Sequence, residues 1–156
     1  KRQGNGFSKT CPATGRTAWQ GGAADAEEVA EAVSSARRAF RDWSRRPQAE
    51  RTAILQQYAE EIGKRAEAIA EVISREMGKA LWDSRAEAAT MKAKIGVSIA
   101  AQKERAGEKT EAAAFGSAQL THRPHGVMAV FGPFNFPGHL PNGHIVPALL
   151  AGNTCV

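Results

Sequence analysis

The sequence has 156 residues, a net charge of +5, 42% hydrophobic residues and 24% charged residues, an ordinary composition for a globular protein. No apolar run approaches the roughly 20 residues that span a bilayer, and no signal-peptide pattern is present, so we expect a cytoplasmic protein. The chain begins with Lys1 rather than Met and stops at Val156, just after a strand-like start. This predicts a piece of a longer protein.

The 21 basic residues exceed the 16 acidic ones, which is compatible with nucleic-acid binding. The basic residues, however, alternate with acidic ones along helical segments, as on a solvated helix face with i,i+4 pairs. No helix-turn-helix, zinc or stacking-aromatic signature accompanies the charge. A non-catalytic helical assembly or nucleic-acid-binding module therefore stays open as one interpretation, although the charge pattern leads us to expect no nucleic-acid partner, and the missing apolar span leads us to expect no membrane partner.

The first quarter of the chain predicts a terminus, a turn, a short strand and a helix. Residues 1–10 are polar and contain glycine, which is typical of a loose terminus. Pro12–Gly15 favours a turn, and Thr17–Trp19 favours a short strand. Asp25 is a good N-cap for a helix that ends at Trp43.

Two longer helical segments follow. Apolar residues recur at helical spacing from Gln48 until Gly78, and Gly63 predicts a bend or break inside this segment. The next segment runs from Leu81 to Arg105. Its apolar stripe is expected to lie in the core and comprises Trp82, Ala86, Ala89, Met91, Ile95 and Ile99.

The last third changes to strand patterns. Residues 108–124 mix polar and apolar residues around a central glycine, which predicts two exposed antiparallel strands. Val127–Phe131 is uniformly apolar and is followed by Gly132 and Pro133, as when a strand buried on both faces ends in a loop. A loop just past the carboxyl end of such a strand is where open α/β sheets keep their ligands, so we expect an α/β fold.

A final helix is expected after that loop. It should extend to about Leu150 and end at Gly152, which suits a C-terminal cap. Pro147 lies inside it and predicts a kink, because proline cannot donate to the carbonyl of Gly143.

Asn135 is the candidate for chemistry in the loop. It lies between Pro133 and Pro137, which stiffen the backbone, while Gly132 permits another group to approach closely. Its carboxamide is a two-proton donor just past the carboxyl end of a strand, and such a donor can stabilise an oxyanion. The alternative is a turn residue whose side chain bonds its own backbone.

Motifs at both ends of the chain resemble one family. Phe131–Pro137 together with Pro147–Thr154 looks like the cofactor-loop motif of the NAD(P)-dependent aldehyde dehydrogenases. The Pro12–Gly15 turn and the three long helices also fit the amino-terminal region of that family. The resemblance covers nearly the whole chain.

The resemblance implies the amino-terminal part of the aldehyde dehydrogenase fold. Residues 1–107 would form the helical part of the cofactor-binding domain. Residues 108–125 would form the hairpin arm that builds a homodimer or higher homo-oligomer. Residues 126–156 would start the Rossmann-like sheet, and the catalytic domain would lie outside the sequence.

The resemblance also implies site roles. The activity is oxidation of an aldehyde with NAD, and Asn135 is expected to donate its amide to the oxyanion of the thiohemiacetal. The choice between NAD and NADP is left open. Cofactor contacts are assigned to Phe131, Gly132, Pro133 and Phe134.

A narrower resemblance concerns the substrate. Pro137–His144 and His122–Gly126 match one branch of the family whose aldehyde carries carboxylates. The small-molecule aldehyde would therefore need proton or hydrogen-bond donors near the loop. The candidate substrate-binding residues are Phe136, His139, His144, Met91 and Lys94.

Neither cysteine is assigned as a nucleophile. Cys11 and Cys155 lack metal-ligand spacing, and no metal site is predicted. Cys155 lies in an apolar strand start, where a buried, unreactive thiol is expected. The resemblance places the family's catalytic cysteine and general-base glutamate beyond Val156, so this chain alone should be inactive, and it makes Cys11 an exposed thiol.

Overall fold

A computed structural model describes residues 6–156. Residues 1–5 of the predicted loose terminus lie outside the described residues. For the rest of that terminus the prediction was wrong, because Gly6–Thr10 form strand β1, which pairs antiparallel with β2 (Thr17–Gly22). The rings of Phe7 and Trp19 pack together across the two strands, with centroids 5.0 Å apart. The sequence pattern did not predict this contact, because the neighbouring residues are polar.

Helix α1 (Ala26–Trp43) begins where the sequence predicts. The Asp25 carboxylate accepts from the Glu28 N–H at 2.8 Å, and the Glu28 carboxylate accepts from the Asp25 N–H at 3.1 Å. This reciprocal pair is a capping box.

The next helices also follow the prediction. They are α2 (Gln48–Lys64), α3 (Ala66–Met77) and α4 (Leu81–Arg105). The break predicted at Gly63 falls two residues later, at Arg65. Gly78 ends α3 with φ of 70°, a left-handed conformation that favours glycine.

The buried face of α4 differs from the predicted stripe. Trp82 is 73% exposed, and Ala86 and Ala89 are exposed as well. The stripe prediction was wrong here because it counted only apolar residues, whereas the buried face is partly polar. Its buried residues are Ser84, Glu87, Ala88, Ile95 and Ser98.

Strands β3 (Lys109–Ala113) and β4 (Gly116–Leu120) form the predicted exposed hairpin. They pair antiparallel, with Lys109 opposite Leu120, and every residue of both strands is exposed.

The chain ends in a strand, a helix and a parallel strand: β5 (Val127–Met128), α5 (His139–Leu150) and β6 (Thr154–Cys155). The prediction of a strand buried on both faces through Phe131 was wrong. Strand β5 has one pairing partner and is half-buried, and Phe131 is 90% exposed.

The core lies between α2, α4 and α5. Leu55, Ile62, Ile95, Val146 and Leu150 form one buried cluster. Within residues 6–156, no helix is both long and apolar enough to cross a membrane.

Candidate active site: the loop between β5 and α5

Residues 129–138 connect β5 to α5 and contain the predicted site. The Val130 N–H donates to the Val156 carbonyl at 2.8 Å, which ties the start of the loop to the sheet. Gly132 lies against α5, where an added Cβ would approach the Pro141 ring to 2.6 Å. The close approach predicted for Gly132 is therefore made by a residue of this chain.

Asn135 is exposed at the middle of the loop. Its carboxamide makes no hydrogen bond with any part of the chain that the structure describes, so the local bond expected of a turn residue is not formed. Both amide protons are available to a bound molecule. The oxyanion role stays a prediction.

The residues predicted to contact the cofactor directly precede Asn135 in the loop. Phe131 and Phe134 are 90% and 82% exposed, and Pro133 is half-buried. The two exposed rings form an apolar surface close in sequence to the Asn135 amide, and exposed apolar surface is common at binding sites. The cofactor contacts themselves stay predictions.

Glu87 of α4 is the principal residue that sequence reasoning missed. Its side chain is fully buried. Its Oε1 accepts from the backbone N–H groups of Gly138 and His139, at 2.9 and 3.1 Å. These two groups belong to the first turn of α5, which lacks a capping side chain of its own. Glu87 therefore caps α5 from another helix.

Lys79 joins Glu87 to the loop. Its ammonium lies 2.7 Å from Glu87 Oε2 and 3.3 Å from the Asp83 carboxylate. It also donates to the Asn135 carbonyl at 3.5 Å and lies 4.4 Å from the centre of the Phe136 ring. One cation thus contacts the helix cap and two residues of the loop.

Glu87 and Lys79 each keep the other ionised although both are largely buried. Burial alone disfavours ionisation of Glu87, but Lys79 and the two backbone donors outweigh it and lower the pKa of Glu87. Burial likewise opposes the charge of Lys79, yet Glu87 and Asp83 raise the pKa of Lys79. The pair is ionised at neutral pH.

A spacing signal could have identified Glu87. It lies four residues before Met91 and eight before Ile95, on the face of α4 that packs against α5. A charged residue at core spacing is rarely buried without a partner, so this position calls for one.

The predicted substrate residues fall into two groups. Met91 and Lys94 contact α5: a Cβ on Gly138 would meet Met91 Sδ at 2.6 Å, and one on Gly143 would meet Lys94 Cε at 3.4 Å. Both side chains are half-buried, and their substrate role stays a prediction.

The second group is nearer the loop. Phe136 is 38% exposed, and His144 is exposed on α5. His139 is half-buried and meets the Phe136 ring edge-on, with centroids 6.2 Å apart. Its Nδ1 is buried and has no hydrogen-bond partner within residues 6–156.

Other side chains fix the middle of α5. Asn142 is 2% exposed, and its carboxamide donates to the Met91 carbonyl at 2.9 Å. It also accepts from the Tyr58 hydroxyl at 3.1 Å. Burial raises the pKa of Tyr58, which keeps the hydroxyl protonated as a donor.

The carboxyl end of α5 is closed by side chains of other helices. Trp43 Nε1 donates to the Leu149 carbonyl at 3.1 Å, and Arg51 Nε donates to the Leu150 carbonyl at 3.0 Å. Arg51 also donates to the Arg46 carbonyl and to Gln48. Its guanidinium is buried, and burial lowers its pKa.

The backbone completes this end. Gly152, at φ of 89°, donates to the Leu149 carbonyl, and Asn153 donates to the Ala148 carbonyl, which together form a Schellman motif. The Asn153 side chain accepts from the N–H groups of His125 and Gly126, at 2.7 and 3.0 Å. It thereby places the start of β5 beside the end of α5.

The cysteines differ from the expectation in one respect. Cys11 is 5% exposed, so the prediction of an exposed thiol was wrong. The Cys11 N–H donates to the Arg16 carbonyl, which folds the turn over the residue. Cys155 is half-buried, and burial raises its pKa. No group of three or more metal-binding side chains occurs among the described residues.

A strand, a loop with the Asn135 amide past its carboxyl end, and a helix leading to a parallel strand form one unit of an α/β fold. A model of the aldehyde dehydrogenase family matches residues 1–156. The chain belongs to the aldehyde dehydrogenase family.

Curated relatives confirm the narrower resemblance of Pro137–His144, which is to N-succinylglutamate semialdehyde dehydrogenases. The N-succinylglutamate 5-semialdehyde dehydrogenase of Paraburkholderia xenovorans is 56% identical over 153 residues, 98% of this chain and 31% of the relative. The N-succinylglutamate 5-semialdehyde dehydrogenase 2 of Caulobacter vibrioides is 57% identical over 154 residues, 99% of this chain and 32% of the relative. The chain thus spans about a third of their length.

Solved structures confirm the predicted fold. The NADP-dependent glyceraldehyde-3-phosphate dehydrogenase of Bacillus halodurans, complexed with NADP, has a TM-score of 0.89 and 30% identity. The match covers 97% of this chain and 33% of that one. An aldehyde dehydrogenase of Brucella melitensis has a TM-score of 0.90 and 25% identity, covering 99% and 33%. The chain therefore has the amino-terminal part of the aldehyde dehydrogenase fold.

Proposed function

We propose that this chain is the amino-terminal third of a full-length enzyme that oxidises an aldehyde to an acid with a nicotinamide dinucleotide. The observation that carries the proposal is the Asn135 carboxamide, exposed and without a hydrogen bond within residues 6–156, in a loop tied down on both sides. Family membership supports the activity.

In the proposed mechanism, Asn135 acts on the oxyanion. A cysteine nucleophile attacks the aldehyde carbon, and the negative charge that develops on the aldehyde oxygen is stabilised by the amide protons of Asn135. The cysteine and the general-base glutamate belong to the part of the parent enzyme beyond Val156. This chain alone is therefore expected to show no aldehyde oxidation.

The residues present suit one end of the cofactor. The exposed rings of Phe131 and Phe134, with Gly132 and Pro133 between them, offer an apolar surface for a flat ring beside Asn135. The first turn of α5 does not suit a phosphate, because Glu87 already occupies two of its N–H groups. When bound, NAD would accept a hydride from the substrate carbon.

We take NAD as the cofactor, with the choice against NADP left to the assay, and N-succinyl-L-glutamate 5-semialdehyde as the aldehyde, within arginine catabolism in the cytoplasm. Relatives at 56–57% identity bear that substrate's name. The substrate carries carboxylates, for which His139 and His144 supply candidate donors, with Phe136, Met91 and Lys94 as further candidates.

Assembly is a separate part of the proposal. Every residue of β3 and β4 is exposed, and an unpaired strand edge favours pairing with a second chain. We therefore expect the full-length enzyme to be a homodimer or higher homo-oligomer. Light scattering would measure its mass, and a monomer would exclude the hairpin as an oligomerisation arm.

The exposed β3–β4 hairpin also favours the alternative function, a non-catalytic helical assembly module.

The test is NAD reduction by the full-length enzyme with this aldehyde, compared with NADP. Asn135→Ala should lower kcat about a hundredfold to a thousandfold, the effect of removing one oxyanion donor. Gln57→Ala removes an exposed carboxamide from α2 and is the matched control, with unchanged kcat expected. An active enzyme indifferent to Asn135→Ala would exclude the oxyanion role of Asn135, and no activity with any aldehyde would favour the assembly module.

A further inference from the structure

Glu87 makes its contacts at the point where the loop becomes helix. Its carboxylate binds the N–H groups of Gly138 and His139, which follow Asn135 by three and four residues. The backbone at Gly138 lies so close to α4 that an added Cβ would be 2.6 Å from Met91 Sδ and 3.4 Å from Glu87 Oε1. The carboxyl end of the loop therefore has little freedom to move.

Lys79 makes the second contact, at Asn135 itself. The ammonium donates to the Asn135 carbonyl at 3.5 Å while it holds Glu87 at 2.7 Å. Its side chain is 14% exposed, so the pair lies mostly out of solvent. A charge pair of this kind is screened little by salt, and its hydrogen bonds are directional.

The direction of the Asn135 carboxamide depends on these backbone contacts. The side chain makes no hydrogen bond of its own within the described residues, so only the backbone on either side sets where it points. That backbone is fixed at Val130 by the sheet and at Gly138 by Glu87.

We propose that Glu87 and Lys79 are positioning residues, which hold the Asn135 loop so that the carboxamide points at the oxyanion. The proposal depends on the proposed function, because it concerns the same reaction. Neither residue touches the substrate in it. A group displaced by about 1 Å can cost up to about a hundredfold in rate, so the contacts matter for catalysis and not for stability alone.

The experiment uses the full-length enzyme with four variants. Glu87→Gln and Lys79→Met remove one charge each at nearly constant volume, and Lys79→Arg keeps the cation. Arg85→Gln is the matched control, because Arg85 lies on α4 like Glu87 but forms its ion pair with Glu67 on the exposed face. The measured quantities are kcat, KM and hydrogen exchange of residues 134–140.

Glu87→Gln and Lys79→Met should lower kcat about tenfold to a hundredfold and change KM little. The reason is that a displaced Asn135 carboxamide loses its hydrogen bond to the oxyanion, which exists only in the transition state. Exchange at Gly138 and His139 should rise about tenfold in Glu87→Gln. Lys79→Arg should recover kcat to within about fivefold of the unaltered enzyme. Arg85→Gln should change neither quantity.

Unchanged kcat in folded Glu87→Gln and Lys79→Met would overturn the proposal, and lowered thermal stability alone would mark the pair as structural. If Glu87→Gln does not fold, the two Lys79 variants decide, since the N–H groups of Gly138 and His139 still donate to Glu87 in them. If the unaltered enzyme oxidises no aldehyde, the proposed function fails, while unchanged exchange would separately refute the positioning of the loop.

Discussion

Both ends of α5 are closed by charged side chains from other helices, but the two ends do different work. Glu87 caps the amino end with a carboxylate, and Arg51 closes the carboxyl end with a guanidinium. Each charge has the sign that the helix dipole favours. The amino end leads into an exposed loop, whereas the carboxyl end leads into the buried core and β6. The same device thus supports a candidate site at one end and the fold at the other.

The largest effect should come from the core beneath the carboxyl end. Leu150 is fully buried in the cluster with Val146 and Ile95. Leu150→Ala should lower the free energy of unfolding by about 2–5 kcal/mol, because it removes buried methyl groups and leaves a cavity. Denaturant unfolding of the full-length protein measures this loss. A loss under about 1 kcal/mol would show that the neighbouring side chains move to fill the cavity.

Arg51→Met should have the next largest effect. It removes the donors to the Leu150 and Arg46 carbonyls and to Gln48, and hydrogen bonds of charged groups contribute about 1.5–3 kcal/mol. Stability should fall by about that amount, while kcat of the folded enzyme stays unchanged. A large loss of kcat would remove the contrast between the two ends of α5.

Trp43→Phe should have a smaller effect at the same end. It deletes the hydrogen bond from Nε1 to the Leu149 carbonyl and keeps most of the ring packing. The expected loss is about 0.5–1.5 kcal/mol, measured by thermal unfolding. An unchanged melting temperature would mean that water replaces the indole donor.

The smallest effect should be that of pH near neutrality. The folded pKa of Glu87 lies below its ordinary 4.5, so its stabilisation is present above pH 4.5 and is lost as pH falls through the lower value. The pKa of Lys79 lies above its ordinary 10.5, so its stabilisation is lost only as pH rises through that higher value. The Asp83 carboxylate also faces the pair, 3.3 Å from the Lys79 ammonium.

Protection of the Gly138 and His139 amides, corrected for intrinsic exchange, should therefore be constant between about pH 6 and pH 9. It should fall only at more acidic or more alkaline values. A step in protection near neutral pH would show that Glu87 and Lys79 are not the groups that hold the loop.

The sequence predicts most helices here because their signals are local. Asp25, Gly78 and Gly152 mark helix boundaries through their own backbone chemistry, and each does so in the structure. The β3–β4 hairpin is equally local. Strand β1 was missed because its pairing depends on aromatic contact between Phe7 and Trp19 rather than on alternation.

The candidate site could be predicted only in part. The loop motif identifies Asn135 and its aromatic neighbours, because they are contiguous in the sequence. Glu87 and Lys79 were not identified, since their partners at Gly138 and Asn135 are more than 50 residues away. A charged residue is usually exposed, so the sequence prediction places it on the surface. The spacing of Glu87 before Met91 and Ile95 indicates burial, but it does not identify the partners.

The most direct test of the central claim is a double-mutant cycle of Glu87→Gln and Asn135→Ala in the full-length enzyme, measured as kcat. If Glu87 acts through Asn135, Glu87→Gln should cost less than about twofold once Asn135 is alanine, although it costs tenfold or more alone. Two losses that multiply would contradict the account, because Glu87 would then act independently of the Asn135 carboxamide.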